Sequence, residues 1–234
     1  MAVYNGAPFL QAQLESILQQ LGSDDELIVV DDASHDESPR ILQRMQEPRM
    51  HVHRNERNCG VLATFERALH MARGEIVFLS DQDDLWLPGK VAKALAVFAS
   101  DACATMVVTD ASVIDEHGRT LNPSFFATRG RFSPGFVRNF LKNKYLGCTL
   151  SFRRTMLRRF LPIPPDVPMH DIWFGLLNEI YGETRYIDEP LTAYRRHRRN
   201  ASPFVHARAM QMALWRWRLA KNIVRRVAGR ARQA

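Results

Sequence analysis

Five acidic residues in two short runs carry much of the chemistry open to this sequence. Asp81-Gln82-Asp83-Asp84 puts three carboxylates within four positions, and Asp31-Asp32 puts two side by side. Carboxylates this close repel one another unless a cation neutralises them. A hard divalent ion does so through oxygen ligands and can bridge to phosphate while keeping part of its water shell. Aspartate also favours turns and N-caps, so each run can equally cap the helix that follows it. Asp171, beside His170, has the same two readings: proton acceptor, or cap of the helix running to Tyr181. His197 stands among Arg195, Arg196, Arg198 and Arg199. Guanidinium groups match phosphate geometry well, while a charge run also suits a solvated face.

These residues need elements that bring them together. Glu26–Val30, Met50–His53, Glu75–Leu79 and Thr105–Thr109 read as strands, and amphipathic helices are predicted near 8–21, 37–45, 61–72 and 88–99. Such alternation argues for an α/β fold, a mostly parallel sheet with helices on both faces. In open sheets of this kind, ligands bind beyond the carboxyl ends of the strands. Three of those ends are polar: Tyr4-Asn5-Gly6, Asp31-Asp32-Ala33-Ser34 and Ser80-Asp81-Gln82-Asp83-Asp84. Further on, 122–134 reads as a loop, 146–152 as a strand, 162–168 as a proline-rich connector, 171–181 as a helix and 184–187 as a strand.

The chain has 234 residues, 46% of them hydrophobic, enough for one domain with a sizeable core. Cys59, Cys103 and Cys148 are too few and too scattered for a disulfide framework or a zinc pattern, and read as reduced thiols. No apolar run has the roughly 18 residues a membrane span needs. With no basic-then-apolar start, the expectation is a cytoplasmic protein. The net charge of +7 suits an anionic partner. The carboxylate runs oppose a phosphate backbone, and no nucleic-acid recognition motif is visible, so a non-catalytic nucleic-acid-binding module ranks low. A nucleotidyltransferase usually has a Gly-rich, basic loop after its first strand. Here that position reads Tyr4-Asn5-Gly6-Ala7-Pro8, without a basic residue.

Taken in order, Tyr4-Asn5-Gly6, Asp31-Asp32-Ala33-Ser34-His35-Asp36, Asn58-Cys59-Gly60 and Asp81-Gln82-Asp83-Asp84-Leu85-Trp86 resemble the motifs of family-2 glycosyltransferases. The likeness spans roughly residues 2–200. Gly147-Cys148-Thr149, Met169-His170-Asp171-Ile172-Trp173 and Tyr194-Arg195-Arg196-His197 look like the branch that includes bacterial rhamnosyltransferases. The resemblance implies a GT-A (Rossmann-like) fold and inverting transfer of a sugar from a nucleotide-diphospho sugar, dTDP-rhamnose favoured. The implied acceptor is a hydroxyl on a glycan or lipid-linked chain in cell-surface polysaccharide synthesis. It assigns Tyr4 and Asp32 to the nucleobase with Asn5 and Asp31 beside them, Asp81 to the ribose, and Asp83 with His197 to a Mg²⁺ or Mn²⁺ ion. Gly147 would border the donor sugar, His170 would tune the base or touch the acceptor, Arg195 would reach the diphosphate, and Asp171 would be the catalytic base.

Two features lie outside that scheme. The expected division is a catalytic domain over 1–203 and a basic amphipathic helix over 204–234. In that helix, starting near Ala207, Met212, Leu219, Ile223 and Val227 recur at helical spacing, with Trp217 and Val224 near that face. Arg218, Lys221, Arg225 and Arg232 lie mainly away from it. This is the pattern of an interfacial membrane helix, or of a helix docked on the enzyme's own core. At the other end, Met1-Ala2-Val3 is short for the strand expected before Tyr4, and the expectation is a shortened first strand.

Overall fold

The computed structural model describes residues 1–197, 200 and 209–231. Arg198, Arg199, Ala207, Arg232 and the expected boundary between 203 and 204 lie outside them.

The first half forms a parallel three-stranded sheet in the order β1 (Ala2–Val3), β2 (Leu27–Asp31), β3 (Met50–Arg54). Ala2 and Val3 pair with Val30 and Asp31, and Leu27–Asp31 pair with Met50–Arg54. β2 reads Leu-Ile-Val-Val-Asp and is buried throughout, the continuous apolar run of a parallel strand covered on both faces. The Met1 amine donates to the Ile28 carbonyl at 2.7 Å, and burial pulls it down to about 5. The crossovers are α1 (Ala7–Leu18) and α2 (Ser38–Arg44), both opened by a proline suited to a first turn, and α3 (Val61–Met71) follows β3. α1 buries Leu10, Gln13, Leu14 and Ile17, one face of a 3.6-residue period.

The second sheet has six strands: β4 (Ile76–Phe78), β5 (Leu85–Trp86), β6 (Ala104–Ile114), β7 (Thr120–Asn122), β8 (Leu150–Arg153) and β9 (Glu183–Arg195). Their order is β4-β8-β6-β9-β5, with β7 on β6. Only β6 and β9 are parallel; the other pairs are antiparallel. The parallel character expected of the whole sheet thus belongs to the first sheet and the β6–β9 pair. β9 extends far past the expected 184–187. Its register against β6 shifts around Asp110, which faces Pro190, so the proline falls where the ladder is already irregular.

Helices α4 (Lys90–Ser100), α5 (Phe125–Arg129), α6 (Phe136–Leu141), α7 (Leu157–Phe160), α8 (His170–Tyr181) and α9 (Ala209–Ala231) complete the chain. The expected loop at 122–134 contains α5, whose cap Ser124 accepts from Ala127 N–H at 2.9 Å while Phe125 and Phe126 are buried. The expected strand at 146–152 begins as a 3₁₀ turn, Gly147–Thr149, before β8. The core gathers around α8, whose residues 170–178 are all buried. Gly175 admits Tyr145 against the helix: a Cβ there would lie 2.2 Å from the tyrosine ring.

α9 docks on this core. Leu219 and Ile223 are buried in it, the Arg226 guanidinium stacks 5.1 Å from the Trp173 ring, and Asn222 donates to Asp166 at 2.7 Å. The face that the sequence offers to a membrane through Leu219 and Ile223 is therefore the face turned to the protein.

Candidate active site

A cavity of about 420 Å³ opens where the two sheets meet. Its walls include Tyr4 from the end of β1, Asp32 from the end of β2, and Asp81 and Asp83 from the loop after β4. Gly147 comes from the turn before β8, and His170 and Asp171 from the first turn of α8. Seven residues predicted from sequence converge here. Asn5, Asp31, Arg195 and His197 do not line it.

Those four support the walls. Asn5 has φ of 51°, takes the N–H of His35 on its side-chain oxygen at 2.9 Å and donates its own N–H to Ser34 Oγ at 2.9 Å. Left-handed backbone is uncommon outside glycine, and asparagine is among the residues that tolerate it. Asp31 pairs with Arg54 at 2.6 Å and accepts the Ser34 N–H at 3.0 Å, closing the turn in which Ala33 holds φ of 60°. Arg195 donates to the carbonyl of Asp83 at 2.8 Å and that of Asp115 at 3.1 Å, and lies 4.8 Å over the Phe9 ring. Its guanidinium engages backbone carbonyls and a ring beside the acidic loop and does not line the cavity. His197 stands behind Asp83, Nε2 to Oδ2 at 2.8 Å, and stacks on Phe9. The expected metal pair is thus in contact.

Asp32 reaches the cavity with both oxygens engaged. They accept from Asn55 Nδ2 at 2.6 Å, Cys59 N–H at 2.8 Å and Gly60 N–H at 2.8 Å. One carboxylate thereby ties β2 to the Asn58-Cys59-Gly60 loop, where Gly60, at φ of 84°, opens α3.

Residues that the sequence did not single out hold the acidic loop. Gln82 clamps it to the first sheet: its Oε1 accepts the Tyr4 N–H at 2.6 Å and its Nε2 donates to the Tyr4 carbonyl at 2.9 Å. Gln13, fully buried in α1, donates to Ser80 Oγ at 2.8 Å and to the Asp81 carbonyl at 2.9 Å. Asn200 donates to Asp83 Oδ2 at 3.1 Å and also lines the cavity. These partners in the loop are 67 to 117 residues away, so no local pattern marks them.

The charges explain why the loop needs so much support. Desolvation, with the charges of Asp83 and Asp171 adding, pushes the Asp81 carboxyl up to about 7. Burial and the charges of Asp83 and Asp81 push Asp84 well above the usual carboxylate range. Lys90 lies beneath them, 1% exposed, donating to the Cys148 carbonyl at 2.6 Å and Thr192 Oγ1 at 2.5 Å; burial pulls its ammonium down to about 8. Asp81, Asp84 and Cys148 each bring a ligand-type atom within 4.8 Å of the others. Burial pushes the Cys148 thiol well up, and a thiol that keeps its proton is a poor ligand for a hard cation. Cys148 and Asp84 therefore read as the floor beneath the site. Asp81 and Asp83 are the carboxylates that line the cavity, with the His197 imidazole behind Asp83, and oxygen donors of this kind suit a hard divalent cation.

Asp171 is not the N-cap. That position belongs to Met169, with no side-chain cap, and Asp171 lies inside the first turn. Burial pushes its carboxyl up to about 6 against the pull of the Ile172 and Gly147 N–H groups. His170 packs on Phe65 with ring centroids 4.1 Å apart, and burial pulls it down to about 4. Both of its buried ring nitrogens lack a hydrogen-bond partner among the described residues. Gly147 makes room for this ring, since a Cβ there would be 3.0 Å from Nε2.

Comparison with known proteins places this fold. The chain is 30% identical over 210 residues to an uncharacterized glycosyltransferase of Nostoc sp., covering 84% of this chain and 63% of that protein. It is 30% identical over 198 residues to the putative teichuronic acid biosynthesis glycosyltransferase TuaG of Bacillus subtilis, covering 82% of this chain and 75% of TuaG. Among solved structures, S. aureus TarS 1-349 in complex with UDP-GlcNAc superposes with a TM-score of 0.68 at 18% identity, over 87% of this chain and 60% of that one. This last likeness shows a shared fold. The chain thus spans a little under two thirds of two of these proteins. The sequence model of glycosyl transferase family 2 matches residues 1–161, a span that includes Tyr4, Asp32, Asp81, Asp83 and Gly147 of the cavity, so the chain belongs to glycosyl transferase family 2.

Proposed function

We propose that this chain moves a sugar from a nucleoside-diphosphate donor to a hydroxyl of a growing surface polysaccharide, with inversion at the anomeric carbon. The observation that carries the reading is Asp171: a carboxyl lifted to about 6 by burial, in one cavity with Tyr4, Asp32, Asp81 and Asp83. The acceptor oxygen attacks the anomeric carbon, the bond to the diphosphate oxygen breaks, and the acceptor proton goes to Asp171. A single base opposite the leaving group gives inversion, by the logic of inverting glycosidases. Tyr4, 43% exposed at the mouth, offers a ring to the nucleobase, and Asp32 closes the same wall. The neutral His170 ring, buried on Phe65, backs the Gly147 turn that borders the donor sugar in this reading. Asp81, Asp83 and His197 would hold Mg²⁺ or Mn²⁺, which when bound offsets the charge on the departing diphosphate.

The donor favoured by the sequence is dTDP-rhamnose; UDP-N-acetylglucosamine, named for the TarS complex, is the second to try. The name of TuaG, a putative teichuronic acid biosynthesis glycosyltransferase, supports a surface-polysaccharide acceptor, and the sequence resemblance adds that it is a glycan or lipid-linked chain. The test is nucleoside diphosphate release from dTDP-, UDP- and GDP-sugars with Mn²⁺ present. One donor turning over, with the anomeric configuration reversed in the product, supports the reading; retention of configuration contradicts it.

A further inference from the structure

α9 has a second apolar stripe on the side away from the core. Met210, Leu214, Trp217 and Val224 are 84%, 38%, 60% and 65% exposed. Their spacing of four, three and seven puts them in one row along the helix. The row continues onto α6, where Val137 and Leu141 are 69% and 58% exposed. Arg216 joins the two helices by donating to the carbonyls of Phe140, at 3.3 Å, and Leu141. A soluble surface rarely leaves this many large apolar side chains together without a use for them.

The charge around the stripe has one sign. The segment 209–231 carries six basic residues and no acidic one. Arg218, Lys221 and Arg225 run beside the stripe at helical spacing, and the Lys221 ammonium lies 5.1 Å over the Trp217 ring. Just past the end of α6, burial and the charges of Lys142 and Arg138 push the Lys144 ammonium down, and these three cations fall within seven residues. Among the described residues no helix is long and apolar enough to cross a membrane. Exposed Trp and Leu with a basic border is the pattern of a surface that lies in the headgroup region.

We propose that the outward face of α9, continued by α6, docks this protein on an anionic lipid surface: apolar side chains enter the acyl boundary and the lysines and arginines meet lipid phosphates. The inference stands on this face alone and does not depend on the transfer reaction. It also fits that reaction, because α9 packs on Trp173 of α8, the helix whose first turn carries Asp171.

Vesicle flotation tests it on the full chain. Wild-type protein is expected to float with phosphatidylcholine vesicles that contain phosphatidylglycerol, to float poorly with phosphatidylcholine alone, and to lose the contact as salt rises. Leu214→Gln with Trp217→Gln should cut partitioning at least about tenfold, since two apolar side chains no longer leave water. Both positions are exposed, and an unchanged melting curve would show the fold intact. Arg218→Gln with Lys221→Gln and Arg225→Gln should remove the preference for anionic lipid. Wild-type protein that ignores anionic vesicles at low salt would overturn the proposal. So would a Leu214→Gln/Trp217→Gln variant that floats as well as wild type. Self-association by light scattering that this pair abolishes, without vesicle binding, would assign the face to a second copy of the chain instead.

Discussion

Asp171 combines a cost to folding with its proposed use as the catalytic base. Its carboxyl is lifted from the usual 3.8 to about 6, so the folded protein holds this proton more tightly than the unfolded chain does. The stability linked to that proton is complete below about 4 and is lost as pH rises through 6. Asp171→Asn removes the ionisation, so the variant should melt higher than wild type at pH 8, with the gap closing towards pH 4 by calorimetry. Its turnover should fall by about 10² or more, the scale of a lost general base. Wild-type kcat/KM should climb as pH rises through about 6 and then level off, because only the ionised carboxylate accepts a proton. Asp81, held up to about 7, titrates nearby, so the assignment rests on the limb disappearing in the Asn variant. His170 cannot supply the limb, being pulled down to about 4. A variant with normal turnover, or a limb that survives the substitution, would leave Asp171 a structural residue.

Between the elements, the acidic loop after β4 is held by partners from three directions. Gln82 fastens it to the end of β1, Gln13 reaches it from α1, and Arg195 comes to it from the end of β9. Gln82→Ala removes two hydrogen bonds worth about 1 kcal/mol each. It should raise KM for the donor more than it lowers kcat, because Tyr4 and the loop lose their common register; an unchanged donor KM in steady-state kinetics would contradict this. Lys90 supports the same loop from below. Lys90→Met leaves the Cys148 carbonyl and Thr192 hydroxyl without their donor and the buried carboxylates without their counter-charge. A loss of about 3 kcal/mol is expected, the scale for breaking a buried charge network, measured by urea unfolding. A stable Lys90→Met protein would show that the carboxylates are neutral without it.

What could be read from the sequence follows from these contacts. β2 and α3 were legible because their burial is written in local periodicity, and Asp32, Asp81, Asp83 and Asp171 because each stands where a strand ends or a helix begins. Gln13, Gln82, Lys90 and Asn200 were not, since their partners are 58 to 117 residues away and nothing nearby distinguishes them. The carbonyl partners of Arg195 were not legible, because a guanidinium beside a histidine suits phosphate and backbone carbonyls equally. α5 was missed because two buried phenylalanines lie in an otherwise polar run. On α9 a single helical period joins Leu219 and Ile223, which face the core, to Trp217 and Val224, which face outward, because the helix is apolar on two faces.

At the level of the whole molecule, two sheets of different origin build one cavity. The parallel sheet brings Tyr4 and Asp32, and the mixed sheet with α8 brings Asp81, Asp83, Gly147 and Asp171. Neither half holds the donor and the base together. The acidic wall sets a requirement on the proposed reaction: the acidic side chains of Asp81 and Asp83 stand where they would repel a diphosphate unless a cation offsets the charge. Chelation with EDTA should therefore abolish transfer, and Mn²⁺ or Mg²⁺ should restore it. Asp83→Ala should be inactive at any concentration of either ion while its melting curve stays cooperative. Full activity in EDTA would remove the cation from the account.

The most direct measurement is nucleoside diphosphate release from a panel of dTDP-, UDP- and GDP-sugars, with wild-type and Asp171→Asn protein side by side in Mn²⁺. The expected result is one donor consumed by wild type and consumed at least about a hundredfold more slowly by the variant, both proteins binding the nucleotide alike. A panel in which no donor turns over, or in which the Asn variant keeps pace with wild type, would contradict the account.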